Sequence, residues 1–267
     1  MTPILVFDIE TIPDVAGIRR LDDLPASMSD AEVADHAFAA RREKTGSDFL
    51  PHHLQCVAAI SCVFRDRTGL RVRSLGTVED GEAALIQSFY RVIEKYTPQL
   101  VSWNGGGFDL PVLHYRALIH GISASRYWDL GEDDRDFKWN NYISRYHARH
   151  TDLMDVLAMY QARANAPLDA LAKLCGFPGK LGMDGGQVWT AFREGRIEEI
   201  RNYCETDVLN TYLLYCRFQL MRGAFSPDEY ADEIAFVKQS LAQESAPHWA
   251  EYLAAFADTA APGGAPG

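Results

Sequence analysis

The uninterrupted apolar run Ile4–Phe7 predicts a buried strand. Gln55–Phe64 and Leu70–Leu75, joined across the turn-prone Asp66–Gly69, predict a strand pair. Residues 29–44, opened by Ser29 and Asp30, have the polar pattern of a helix inserted between the first two strands. Glu79–Tyr96 sets Ala84, Leu85, Phe89, Val92 and Ile93 at helical spacing and stops before Pro98. A short strand follows at Leu100–Trp103, a glycine triplet turns the chain, and Phe108–His120 reads as a helix closed by Gly121. Residues 127–150 have no clean period and mix acids, bases and aromatics. They predict a long loop with a helical turn, and loops of that length in compact domains tend to be functional or disordered. Helices are expected at Asp152–Gln161 and Leu168–Leu174, a glycine-rich turn region at Gly176–Gly186, and a long amphipathic helix at Ile197–Leu220.

Strands first, with helices after and around them, predict an α/β/α layered domain over residues 1–220, with insertions at about 29–44 and 127–150. One or two further helices within 221–258 form a C-terminal extension, and TAAPGGAPG at 259–267 is expected to be a disordered tail. With 267 residues, 47% of them hydrophobic, the chain can bury a sizeable core. No run approaches the roughly 18–20 apolar residues of a membrane span. The opening residues carry acids where a signal peptide needs a basic start and a cleavage site, so a cytoplasmic protein that does not enter membranes is expected. The five cysteines form no CxxC pair, which favours buried thiols over disulfides or a zinc site.

A net charge of −11 argues against holding nucleic acid by bulk electrostatics. Its distribution weakens that objection: residues 221–267 contain two basic and seven acidic residues, so nearly half of the excess lies there. Of the remaining acids, four occur in three stretches that can converge: FDIET at 7–11, WNGGGFD at 103–109 and YCETD at 203–207.

Side chains two apart in a strand share a face, so Asp8 and Glu10 project together from the end of the first strand. Asp109 lies near a helix start after a glycine turn, and Tyr203 and Asp207, four apart, share one helix face. Taken singly, each has a plainer reading: solvated acids at a strand end, a capping group, a core tyrosine beside a surface acid. Together, Asp8, Glu10, Asp109 and Asp207 suit a pair of divalent cations, which want oxygen ligands and serve in-line displacement at phosphorus. The glycine triplet lacks the lysine and serine or threonine of a phosphate-binding P-loop.

Two further features are open to two readings each. In WNNYISRYHARH at 139–150, Arg145 and Arg149 alternate with Trp139, Tyr142 and Tyr146. Such a segment can follow a single strand with its cations and stack bases on its rings, or pack its rings into the body. Lys180, in the glycine-rich turn, can meet a phosphate or stay solvated. Asp152 and Asp155 in HTDLMD can shape the site from behind or belong to a helix start.

The three motifs, in this order and on these elements, resemble the DEDD exonucleases of the RNase H-like fold, tyrosine subclass. They are most similar to the proofreading domain of B-family DNA polymerases and its stand-alone relatives, over about residues 3–220. No histidine stands near Asp207 in the third motif, as the histidine subclass would need. The resemblance implies an RNase H-like α/β/α fold with a mixed central sheet, and a 3′–5′ exonuclease using two Mg2+ or Mn2+ ions on the 3′ end of nucleic acid, expected to be single-stranded DNA. It implies that Asp8 bridges both ions, Glu10 and Asp207 complete the tighter site, Asp109 helps hold the second ion through water, and Tyr203 orients the attacking water. It also implies that Thr11 and Ile12 meet the terminal nucleotide, flanked by Asn104 and Phe108. Two other classes share these residues: a silent nucleic-acid-binding module, and a metallohydrolase of small phosphoesters.

Overall fold

The computed structural model describes residues 2–256, so the expected tail at 259–267 lies outside the described residues. The chain forms β1 (Ile4–Pro13), α1 (Val15–Leu21), α2 (Asp30–Thr45), β2 (Gln55–Asp66), β3 (Gly69–Ser74), α3 (Glu82–Tyr96), β4 (Gln99–Ser102) and α4 (Asp109–His120). There follow α5 (Ser125–Trp128), β5 (His150–Asp152), α6 (Leu153–Leu157), α7 (Leu168–Leu174), α8 (Val188–Arg193), α9 (Ile197–Met221), α10 (Pro227–Ala242) and α11 (Pro247–Ala255).

The five strands make one mixed sheet in the order β3-β2-β1-β4-β5. The central strand β1 runs antiparallel to β2 and parallel to β4, with Ile4 opposite Arg65 on one side and Gln99 on the other. Alternation along β1 divides the core. Ile4 and Val6 pack with Val208, Leu209, Tyr212 and Leu213 of α9, whereas Leu5, Phe7 and Ile9 pack with α3 and α4 through Ile86, Phe89, Val112 and Leu113. This is the expected helix, sheet, helix layering. Each fully buried side chain of this size contributes about 1.5–3 kcal/mol over an exposed one.

Helices α10 and α11 share the α9 side of that core: Val237, Leu241, Trp249, Tyr252 and Phe256 are buried there, and the Tyr252 hydroxyl donates to Asn210 Oδ1 at 2.8 Å. Among the described residues no helix is long and apolar enough to cross a membrane.

Two expected elements differ. The first strand continues beyond Phe7 to Pro13, because β2 pairs with its whole length, with a register shift between Glu10 and Thr11. Asp152–Gln161 is not one helix. It begins as the last residue of β5, turns through α6, and passes Met159 and Tyr160 at positive φ (52° and 59°), a conformation that no helix continues.

Candidate active site

Asp8 and Glu10 continue the parity of Ile4 and Val6 and therefore rise from the sheet face covered by α9. The parallel pairing of β1 with β4 ends at Val6 opposite Val101, which frees the far half of that strand edge. Asp109 uses it: its Oδ1 accepts the Ile9 N–H at 3.1 Å across 100 residues of sequence. The acid at the start of α4 is thus aimed at β1 from the other layer.

The turn before α4 is built to permit this. Asn104 sits at φ 65°, tolerable for its short polar side chain, and a Cβ on Gly105 or Gly107 would come within 2.3 Å of Ser102 Oγ or 2.4 Å of Asn104 Oδ1. Free N–H groups in so tight a turn need an acceptor. Asp152 supplies it, taking Asn104 N–H at 2.9 Å and Gly106 N–H at 2.8 Å on its two oxygens. Asp152 also caps α6, so the end of β5 fixes the turn that carries Asn104 and Phe108. Sequence reading leaves it between two roles; its one available signal is a glycine turn short of acceptors.

From above, α9 brings Tyr203 and Asp207, both buried. Lys180, on the glycine-rich turn, donates to the Tyr203 hydroxyl and pairs with Asp207 Oδ2 at 3.1 Å. It is therefore not a solvated lysine. Asp207 Oδ1 is buried and has no hydrogen-bond partner among the described residues. Cys204 also enters the site: its thiol donates to the Asp8 carbonyl at 3.4 Å, and Sγ lies within 4.8 Å of oxygens of Asp8 and Glu10, a grouping that could hold a metal ion. Glu205, between them in sequence, turns away to accept from Ser74 N and Oγ at 2.7 and 2.8 Å.

Electrostatically the cluster is short of positive charge. Burial pushes Asp8 well above the ordinary carboxylate range, and Asp109, Glu10 and Asp207 add repulsion. Glu10 is raised by burial and by Asp207, against the pull of Lys180. Burial lifts Asp109 to about 7 even though the Ile9 N–H opposes it. Asp207 is raised by burial, with Lys180 pulling it back. Burial and the carboxylates of Asp207, Glu10 and Asp8 push the Tyr203 phenol upward, so it keeps its proton at neutral pH.

The residues expected to meet nucleic acid are dispersed. Thr11 Oγ1 donates to Gln55 Oε1 at 3.0 Å, and Ile12 is buried beside Tyr203 and Cys204. Phe108 is backed by Phe49 and His52, with ring centroids 5.4 and 5.5 Å away, and His52 Nε2 also hydrogen bonds to the Gly107 carbonyl oxygen at 2.9 Å. In the 139–150 segment, Tyr142 is buried with its hydroxyl on the Pro98 carbonyl. Arg149 lies 4.2 Å over the Phe137 ring and donates to the Asn140 carbonyl. Arg145 is at the surface, paired with Asp155.

Residues 47–256 match the model of a family described as predicted 3′-5′ exonucleases related to the exonuclease domain of PolB. That stretch holds Asp109, Tyr203 and Asp207; Asp8 and Glu10 precede it and join them through the pairing of β1 with β2. A DNA polymerase of Archaeoglobus fulgidus is 25% identical over 136 residues, 50% of this chain and 17% of the polymerase. The family B DNA polymerase of Pyrobaculum calidifontis shares the fold over 83% of this chain and 25% of its own, at 17% identity and a TM-score of 0.51. The chain thus spans a quarter or less of the length of these polymerases. With the family match covering most of its length, and the fold shared with a polymerase, the chain belongs to the predicted 3′-5′ exonucleases related to the exonuclease domain of PolB.

Proposed function

We propose that the protein is a metal-dependent 3′–5′ exonuclease that shortens single-stranded DNA by a two-metal mechanism, with residues 1–220 as the nuclease body and 221–258 as a helical extension. The observation that carries this reading is the convergence of Glu10, Asp109 and Asp207 on Asp8 from three distant motifs, with Asp207 Oδ1 buried and without a partner among the described residues. A donor set of carboxylate oxygens fits Mg2+ or Mn2+. Asp8, Glu10 and Asp207 would hold one ion, and Asp8 with Asp109 the second. Such ions lower the pKa of water, polarise the phosphoryl oxygen and stabilise the leaving 3′ oxygen. The DNA polymerases among the relatives support DNA as substrate.

The chain's own residues set the geometry. Tyr203 retains its proton and is held by Lys180, so its hydroxyl can orient the attacking water. Lys180 brings a positive charge to the edge of the carboxylates, where a scissile phosphate would arrive. Thr11, Asn104 and Phe108 frame the terminal nucleotide, Ile12 meets it through its backbone because its side chain is buried beside Tyr203, and the rings of Phe49 and His52 against Phe108 keep that ring from swinging away.

The test is a 5′-labelled single strand of DNA, and the same strand in RNA, incubated with metal-stripped protein with and without Mg2+ or Mn2+. A ladder shortening one nucleotide at a time, only with metal and faster on DNA, is expected. Full activity in chelator, or early appearance of mid-length fragments alone, overturns the reading.

A further inference from the structure

Beside the glycine turn lies a cavity of about 470 Å3. Gly106 and Gly107 line it together with the rings of His114, Tyr127 and Trp128, and the surface pair Arg145 and Asp155 lies at its rim. We infer that this cavity receives an internal base of the single strand whose 3′ end lies at the carboxylates; the inference rests on the exonuclease reading above.

Position comes first. Gly107 is two residues from Asp109, so their Cα atoms are no more than about 7.6 Å apart. A strand leaving the carboxylates across this turn meets the cavity at once, because the glycines keep the turn tight against Ser102, Asn104 and Asp152 and so keep the cavity this near Asp109.

Chemistry selects the occupant. The rim cation is spent: Arg145 is bound to Asp155 and lies 4.8 Å over the Tyr160 ring. A site whose charge is already balanced gains little from a phosphate, whereas its rings can stack a flat, uncharged one. That lining is also rigid. Tyr127 is stacked on Tyr142 at 5.4 Å and 7°, and the His114 ring is wedged between Tyr127 and Trp128 at 4.9 and 4.8 Å. Trp128 is half exposed, leaving part of its indole open to a partner. Burial pulls the His114 imidazole down to about 4, so it is neutral at physiological pH and adds no charge that would favour phosphate over base. The volume falls in the range of pockets that take small organic ligands and accommodates one base with its sugar.

The test is equilibrium binding of 5′-labelled short DNA strands to the full chain carrying Asp207→Ala, so that hydrolysis does not interfere. A single abasic nucleotide is walked inward from the 3′ end. One internal position should weaken binding about 5- to 150-fold, the effect of losing a base–aromatic stack. Trp128→Ala should cost a similar factor on the intact strand and abolish the penalty at that position. Trp128→Phe should restore most of it, with the salt dependence unchanged because no phosphate contact is lost. An abasic penalty as large in Trp128→Ala as in the parent, a salt slope that drops by about one, or strands that do not bind overturns the inference. Strands degraded by the wild type without a position-specific penalty remove this cavity and leave the exonuclease; a position-specific penalty without hydrolysis does the reverse.

Discussion

The chain builds two clusters of buried acids along β1 and its exit, and they are opposites. In the second, Arg116 of α4 is 5% exposed and bridges Asp14 and Glu82. Glu82 also accepts the Val57 N–H at 2.7 Å, and Asp14 accepts that of Gly17 at 2.9 Å. Burial alone would raise Asp14, but the Gly17 N–H and the Arg116 guanidinium outweigh it and hold the carboxyl below its usual range. In the first, Asp8, Glu10, Asp109 and Asp207 gather with Lys180 as counter-charge to three of them, the carboxyls are all raised, and among the described residues one buried oxygen, Asp207 Oδ1, has no partner. Acids that find their counter-charge inside the chain serve the fold; those of the first cluster are left short of it, as the proposed metal site requires.

The sharpest way to break this contrast is to remove one acid from each side of it. Asp207→Ala should reduce nuclease activity to background while the metal-free protein stays as stable as the parent or gains, because repulsion falls. A folded Asp207→Ala variant with parental activity in the presence of Mg2+ would end the distinction. Within the same helix, Tyr203→Phe removes only the hydroxyl and should cost about 10²–10⁴-fold in turnover, as a positioned acid–base group does. The ring still fills its place, so melting should be unaffected.

Arg116→Ala should act the other way. It takes the guanidinium from buried Asp14 and half-buried Glu82, which keeps His120 Nε2 at 2.6 Å. Stability should fall by about 3 kcal/mol in denaturant titrations, the low end for breaking a buried pair, with turnover of the molecules still folded close to parental. A loss under about 1 kcal/mol would show that this cluster is hydrated and not a true counterpart.

Metal should separate the clusters more gently. At a free Mg2+ concentration near 100 times its Kd, the parent should gain about 2.7 kcal/mol, read as a rise in Tm, and Asp207→Ala should gain much less. An equal rise in both would place the ion elsewhere. Smallest is the effect of acid. Asp14, with its folded pKa depressed, contributes stability that is present above its unfolded pKa of about 3.9 and is lost as pH falls through its lower folded value. Asp14→Asn should flatten the loss of stability in that acid window and leave the neutral range nearly level.

Sequence pattern reveals what is local or strictly periodic. The strand carrying Asp8 and Glu10, the Ser29 cap of α2 with Glu32 closing its capping box, the turn before Asp109 and the helix bearing Tyr203 and Asp207 can all be read from spacing and turn residues. β5 cannot, because three residues are too few for a period, and its chemistry-bearing end looks like a helix start. Neither can pairings between distant segments: Arg116 finds partners 34 and 102 residues away, and Lys180 reaches Tyr203 from a loop whose path no pattern specifies. The 139–150 segment shows the limit of composition. Arg145 and Arg149 look alike in sequence, yet one sits at the surface and the other lies against Phe137.

The contact between Cys204 and Asp8 joins positions 196 residues apart. Such long-range closure is slow compared with the forming of a helix or hairpin, and synthesis adds only about 5–20 residues per second. A nascent chain therefore carries its first two acids for many seconds before α9 exists to complete the cluster, and on this reading it can cut nothing near the ribosome until the body has closed.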